Sequence, residues 1–295
     1  NSYFVDSVDG FLTMSKSVYD DLDQFDKNKK KVLGVHPLYD NFGVSKTKEE
    51  ALDSLKLDES FNYMLFFGII RKYKGLDILL EAFADERLQN KNLKLIVAGE
   101  FYEDKKPYLE LIDKYNLSDS VILATNFIPD DEVVNYFCAA DIIVQPYRNA
   151  TQSGVTQIAY HFEKPMLVTD VGGLKEIVPH GKVGYVCEPT SGSVVDAILD
   201  FYDNDKEQQF IQGVIDEKNK YSWSKMIENI KNLYQQLYLA LFSFCFYICK
   251  NYMCMKKLVF LLLFIPFFSF SQSINEVDVD GKKRGVWQKT YESGK

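Results

Sequence analysis

The sequence predicts an α/β fold built on a mostly parallel sheet flanked by helices on both faces. Three observations carry that prediction: short apolar runs recur at regular intervals, each is followed by an amphipathic helical pattern, and Gly, Pro or charge punctuates the joins. Runs that are apolar throughout mark strands buried on both sides. Strands separated by crossover helices pair in parallel. The first clear strand is Tyr63-Met64-Leu65-Phe66-Phe67, closed by Gly68 and followed by a helix over Leu76 to Phe83. The alternation repeats at Leu93 to Ala98 with Pro107 to Tyr115, at Val121 to Ala124 with Asp130 to Ala139, and at Ile142 to Gln145 with Ser153 to His161. Pro165 to Thr169 leads through Gly172-Gly173 to a short helix near Glu176, and Val183 to Cys187 leads to a helix over Ser193 to Tyr202. Helices over Asp205 to Asn219 and Trp223 to Leu237 close the pattern, the second entered through the capping run Tyr221-Ser222-Trp223-Ser224. Within it Trp223, Met226, Ile227, Ile230, Leu233, Tyr234 and Leu237 share one stripe, which is first of all a packing surface.

Composition narrows the function classes. A chain of 295 residues with 46% hydrophobic content is long and apolar enough for a substantial core. A formal net charge of -8, with Lys and Arg scattered, argues against a nucleic-acid partner, which needs a basic surface. Among the five cysteines, Cys138 and Cys187 stand alone in apolar segments, while Cys245, Cys249 and Cys254 lie in a greasy stretch without His or acidic neighbours. That is neither a zinc pattern nor a disulfide framework, and a reduced, cytoplasmic main body is the simplest reading.

Both ends stand out. The chain opens on Asn1, and Phe4 to Leu22 reads as one strand-helix piece with no upstream partner, as expected of a truncated start. Leu237 to Ile248 is almost entirely apolar, and Met255-Lys256-Lys257 opens a second apolar run through Phe270. Neither run reaches the ~20 residues of a membrane-spanning helix. Met-Lys-Lys, the run Leu258 to Phe268 and the exit Ser269-Phe270-Ser271-Gln272 have the charge, core length and small-residue end of a secretory signal peptide. An internal copy followed by a polar piece, Val277 to Lys295, reads as a neighbouring frame joined to this one; the alternative is a C-terminal membrane hairpin or interfacial anchor. The expected organisation is therefore residues 1–40 as a remnant of one domain and a linker, 41–204 as the main α/β domain, 205–238 as crossover helices, 239–272 as an apolar segment with the signal-like stretch 255–272, and 273–295 as a foreign or disordered tail.

In an open parallel sheet, ligands bind beyond the carboxyl ends of the strands, so the loops there are where function is sought. The first is Gly68-Ile69-Ile70-Arg71-Lys72-Tyr73-Lys74-Gly75, in which Arg71 and Lys74 lie beside glycines that permit close backbone approach. Such a cation pair suits a diphosphate and would stabilise it as a leaving group; a solvated basic turn is the alternative. The loop after Gln145 runs Tyr147-Arg148-Asn149-Ala150-Thr151-Gln152-Ser153-Gly154 into a helix whose free amides suit an anion or sugar hydroxyl. Ordinary N-capping explains Ser153 equally well. The third loop, Thr169-Asp170-Val171-Gly172-Gly173-Leu174-Lys175-Glu176, pairs glycines with a carboxylate one turn later. Asp130-Asp131-Glu132 sits at a helix start, where negative charge favours the dipole, and reads as capping rather than metal binding.

The order and spacing of these loops resemble the C-terminal domain of retaining glycosyltransferases of family 4, the glycosyl transferases group 1, over roughly Lys31 to Leu237. The residues that carry the resemblance are Gly68, Arg71, Lys74 and Gly75, then Val97-Ala98-Gly99, Ala140-Asp141 with Pro146, and Lys164-Pro165 with Gly172-Gly173 and Glu176. Asp9-Gly10-Phe11-Leu12-Thr13-Met14-Ser15 resembles the last strand and helix of the family's acceptor domain, and His36-Pro37-Leu38-Tyr39-Asp40 its interdomain linker. The family's usual pair of glutamates falls here at Thr151 and Ala159, neither acidic; a subgroup with Thr-Gln-Ser-Gly and Ile-Arg-x-Tyr-Lys-Gly at these places is the nearer match.

The resemblance implies the Rossmann-like, donor-binding half of a GT-B fold that moves a sugar from a nucleotide-diphosphate donor to an acceptor hydroxyl with retention, using no metal and no cofactor. By that resemblance Gly68, Arg71 and Lys74 bind the donor diphosphate, Thr151, Gln152, Ser153, Gly154, Gly172 and Gly173 contact sugar and phosphates, and Gln157 or Glu176 substitutes at the ribose or sugar. The family's usual active-site His belongs to the half that precedes this one; His36, His161 and His180 read as structural, and no catalytic residue is assigned. The implied partners are a nucleotide-sugar donor and a glycan or lipid-linked acceptor in polysaccharide assembly, with a cytoplasmic location at or near the inner membrane face and peripheral membrane association. Two other classes remain open: a nucleotide-sugar epimerase or phosphorylase of the same fold, and a non-catalytic nucleotide-sugar-binding module.

Overall fold

A computed structural model describes residues 2–89, 91–251, 276–277 and 283–284, with side chains described over 4–89 and 91–238. The chain divides into two compact units, residues 1–238 and 239–295. The first unit opens with α1 (Ser2–Asp6), β1 (Gly10–Thr13), α2 (Lys16–Asp21) and β2 (Lys30–Leu33), where β1 and β2 pair in parallel. Phe4 and Val5 therefore belong to a helix rather than to the strand-helix piece expected, and β1 finds its partner downstream.

The main domain follows as α3 (Lys48–Leu55), β3 (Asn62–Phe67), α4 (Leu76–Phe83), α5 (Glu86–Gln89), β4 (Leu93–Ala98), α6 (Lys106–Lys114), β5 (Val121–Ala124), α7 (Val133–Ala139), β6 (Ile142–Gln145), α8 (Gly154–His161), β7 (Met166–Thr169), α9 (Leu174–Ile177), β8 (Gly184–Cys187) and α10 (Ser191–Asp203). Two helices, α11 (Glu207–Lys218) and α12 (Trp223–Asn251), complete it. The six strands form one sheet in the order β5-β4-β3-β6-β7-β8, and every pairing is parallel. The acidic run Asp130-Asp131-Glu132 lies in a turn before α7, which starts at Val133 rather than at Asp130.

Both faces of the sheet are buried, which explains the uninterrupted apolar strands. Alternate residues of β3 point oppositely: Tyr63 and Leu65 join a core with Phe137 of α7 and Ile158 of α8, while Met64 and Phe66 join one with Leu79 of α4 and Ile198 of α10. Some helix N-termini are capped by the residue types that sequence reasoning looks for. Thr47 and Glu50 form a reciprocal capping box on α3, and Ser153 and Thr190 cap α8 and α10. Asp141, 2% exposed, accepts from the Tyr63 amide at 2.8 Å and pairs with Lys48, so its carboxylate closes the amino end of the sheet, away from the ligand edge.

Helix α12 lies against the N-terminal pair. A Cβ built on Gly10 would be 3.1 Å from Leu233 and 3.5 Å from Leu237, and one on Gly34 would be 3.4 Å from Asn229. The expected stripe is thus divided: Leu233 and Leu237 pack on β1, while Trp223, Ile227, Ile230 and Tyr234 are exposed. α12 runs on to Asn251 instead of stopping near Leu237. In the second unit, the only other described elements are β9 (Glu276–Val277) and β10 (Lys283–Arg284), paired antiparallel. The signal-like stretch 255–272 lies outside the described residues. Among the described residues no helix is long and apolar enough to cross a membrane.

Candidate functional site

The chain adds strands outward from β3 to β4 and β5, then returns to the other side of β3 and adds β6, β7 and β8. The connections therefore diverge between β3 and β6, and a crevice opens at the carboxyl ends of these two neighbours. The loop Gly68–Gly75 leaves β3 on one side of it, and the loop 146–153 leaves β6 on the other.

Close backbone packing holds the loops together. Gly75, at φ +70°, has its missing Cβ directed into the Pro146 carbonyl, so no larger residue fits where the two loops touch. Gly172, at φ +51°, similarly meets the Ala150 carbonyl, and Gly173 lies against the Thr151 carbonyl. The Arg148 amide donates to the Tyr73 carbonyl at 2.7 Å. The Arg148 guanidinium grips Asp77 through two bonds of 2.6 and 2.7 Å and donates to the Lys72 carbonyl at 3.2 Å, a planar fork that fixes the basic loop to the start of α4.

The two predicted cations occupy different environments. Arg71 is exposed, with its guanidinium over the Tyr102 ring at 5.5 Å. Lys74 is 8% exposed, and its Nζ lies 5.6 Å from the centroid of the Tyr147 ring and against Gly68, where a Cβ would stand 3.0 Å away. Neither cation has a carboxylate partner among the described residues. Burial, reinforced by the neighbouring Arg71 charge, lowers the Lys74 ammonium from the ordinary 10.5 to about 8. A buried cation without a counter-ion is an incomplete arrangement that an anionic ligand completes.

Opposite stands the start of α8. A cavity of about 280 Å³ is lined by Tyr39, Tyr73, Lys74, Tyr147, Gln152, Ser153, Gly154, Val155 and Ile158, so Lys74 and the helix N-terminus face one space. The Ser153 hydroxyl is committed inward: it donates to Gln145 Oε1 at 2.6 Å and accepts from the Val155 amide at 3.2 Å. At this end Gln152 and Gly154 line the cavity beside the occupied Ser153 hydroxyl. Thr151 is exposed beside the Gly172-Gly173 turn. A second cavity, about 430 Å³, opens on the other side of Gly68 and is lined among others by Phe42, Gly99, Glu100, Tyr102, Phe127 and Asp130.

Gln157 and Glu176 are placed apart from this space. Gln157 has no exposed surface and neither of its amide atoms has a partner among the described residues. Glu176 accepts from the backbone amide of Lys16 at 2.9 Å, tying α9 to the start of α2. His36 packs edge-on to Tyr39, His161 reaches the Gly43 carbonyl at 2.8 Å, and His180 is bound to the Val186 backbone, all structural contacts. Sequence reasoning missed Tyr39, Tyr147 and Arg148. The last two stand in the loop already singled out, and an aromatic beside a cation at a strand end is a readable signal; Tyr39 comes from a linker more than a hundred positions before Gly154 and gives none.

Comparison with known proteins identifies the family and the fold. The family described as "Glycosyl transferases group 1" matches residues 47–214. An uncharacterized glycosyltransferase of Methanocaldococcus jannaschii is 28% identical over 237 residues, covering 80% of this chain and 62% of that protein. Among solved structures, sucrose-phosphate synthase from Thermosynechococcus elongatus superposes with a TM-score of 0.69 at 20% identity, covering 81% of this chain and 61% of the other. Anabaena HepE in complex with UDP-glucose gives 0.59 at 16%, covering 80% and 64%. The chain spans about three fifths of the length of these relatives. The fold is the α/β, Rossmann-like architecture of GT-B glycosyltransferases, and the chain belongs to the glycosyl transferases group 1 family.

Proposed function

We propose that this chain binds a nucleotide-diphosphate sugar and forms the donor half of a family 4 glycosyltransferase, which moves the sugar to an acceptor hydroxyl with retention and without a metal. The observation that carries this reading is the buried, uncompensated Lys74, set beside Arg71 at the β3–β6 divergence and facing the start of α8. The ammonium and guanidinium take the two linked phosphoryl groups. As the bond to the sugar breaks, negative charge grows on the leaving diphosphate, and the same two cations stabilise it without reorganising. The amides at the start of α8 and the Gly172-Gly173 turn hold the ligand in register. The larger cavity beyond Gly68, with its aromatic walls and its two carboxylates Glu100 and Asp130, has room for a nucleoside. That HepE was solved with UDP-glucose supports a nucleotide-sugar ligand for the shared fold. The acceptor is a glycan or lipid-linked sugar, and the site of action is the cytoplasm at the inner membrane face.

The test is calorimetric titration of the full chain with UDP-glucose, GDP-mannose and ADP-glucose, for the wild type and for Arg71→Ala with Lys74→Ala. At least one donor binds the wild type, and the double variant loses about 100-fold or more, as expected when two charge-assisted contacts are removed. Equal affinity in both proteins refutes the assignment.

A further inference from the structure

We propose that Tyr39, in the linker between β2 and α3, is a donor-binding residue whose phenol O–H donates to a phosphoryl oxygen of the nucleotide sugar; this rests on the donor-site reading above. The ring is held in place from three sides. The Leu38 amide donates to the Tyr221 carbonyl at 2.9 Å, which anchors the backbone next to it. His36 meets the ring edge-on at 5.3 Å between centroids, and Phe42 lies at 6.5 Å. The third side is Gly154: a Cβ there would stand 2.7 Å from Tyr39 Cε2, 3.4 Å from Cζ and 3.5 Å from the phenol oxygen. The ring thus covers the first residue of α8, in the space that a side chain at Gly154 would take.

This places the phenol in the same 280 Å³ space as Lys74 and the α8 N-terminus. Tyr39 is 36% exposed, and its hydroxyl has no hydrogen-bond partner among the described residues. Two independent features make that space an anion site: the amide end of an eight-residue helix, and a lysine with 8% exposure and no counter-ion among the described residues. A phenol held there brings a hydrogen-bond donor to the edge of an anion bound in that space. A hydrogen bond to a charged acceptor is the stronger kind, and removal of such a donor lowers affinity by about tenfold or more. Tyr39 also links the ligand to the segment that joins the N-terminal pair to the main domain, since the same loop carries the contact to Tyr221.

The experiment titrates the full chain with inorganic pyrophosphate and with UDP-glucose, for the wild type, Tyr39→Phe and Tyr39→Leu. Tyr39→Phe keeps the ring against Gly154 and removes only the hydroxyl; urea midpoints verify that it is folded as the wild type is. Affinity for both probes falls about tenfold or more in Tyr39→Phe, with Tyr39→Leu no better. Wild-type affinity in Tyr39→Phe with loss only in Tyr39→Leu would show a packing role and overturn the proposal. So would loss for UDP-glucose with pyrophosphate unaffected, because the contact would then be to the sugar or the nucleoside rather than to a phosphoryl oxygen. If the wild type binds neither probe, nor the other two donors, the donor-site reading itself fails, which is a different outcome from an unchanged Tyr39→Phe.

Discussion

Lys74→Met gives the most demanding test of the site, because it raises stability while removing function. Methionine keeps the length and apolar stem of lysine and leaves out the charge. The fall of the ammonium from 10.5 to about 8 corresponds to a penalty of about 3 kcal/mol on its charged form, at about 1.4 kcal/mol per pH unit. That penalty is present in full at pH 7, where the folded protein holds the proton in a poor setting. Between about pH 8 and 10.5 the unfolded chain binds more protons at this position than the folded one, so wild-type stability gains from this group as pH rises through that window. The variant has no such gain. Urea unfolding at pH 7 therefore finds Lys74→Met more stable by about 1–3 kcal/mol, and the advantage shrinks toward pH 10.5. Ligand binding moves oppositely: the wild type binds UDP-glucose about fourfold more weakly at pH 8.5 than at pH 7, since the proton must be present for the anion to be held. The variant binds weakly at both. A destabilised variant, or wild-type binding that is flat with pH, would mean that the ammonium is already compensated and would refute the reasoning.

Other positions respond in different ways. Gly172→Ala drives a Cβ into the Ala150 carbonyl from a left-handed backbone and costs at least about 1 kcal/mol in urea unfolding, with donor affinity falling alongside because the two loops must part. Asp77→Ala and Arg148→Ala, measured singly and together, give a coupling of about 1 kcal/mol in stability for this half-exposed bidentate pair; each single variant also weakens donor binding by freeing the basic loop. Phe137→Ala, at a fully buried position between Phe67 and Phe162, costs about 3–5 kcal/mol without changing the pH dependence of ligand binding. Arg71→Gln moves the proton-linked fall in donor binding to higher pH, because the charge that helps to depress Lys74 is gone.

How much of this was legible in the sequence depends on the range over which each feature is determined. The six strands are set by local patterning: Tyr63 to Phe67 and Ile142 to Val144 are apolar at every position because helices cover both faces. Arg71, Lys74 and the glycine pairs were also readable, since a strand-end loop presents them in order. Their environments were not. The burial of Lys74 depends on the Tyr147 ring and Gly68, and no pattern within the basic loop reports it. Ser153 fits a cap or a ligand contact equally well as a letter; its bond to Gln145 reveals that the hydroxyl points inward. Glu176 reads as a sugar contact from its place after two glycines, yet its carboxylate serves the amide of Lys16, 160 positions earlier. Phe4 and Val5 have strand-forming side chains and are nonetheless helical, because β1 begins only at Gly10.

The Glu176–Lys16 contact has a mechanical consequence. The N-terminal pair β1–β2 is braced from behind by Leu233 and Leu237, and it meets the main domain in front where Ser15 lies against Gly173 and Lys16 bonds to Glu176. Residues 10–34 and the first half of α12 thus pack together, and the turn that shapes the crevice is tied to their leading edge. Among the described residues, the Lys16–Glu176 bond and the Ser15–Gly173 contact join the N-terminal pair directly to the Gly172-Gly173 turn. The turn is therefore held from two directions, by Ala150 and Thr151 of the loop after β6 and by the N-terminal pair.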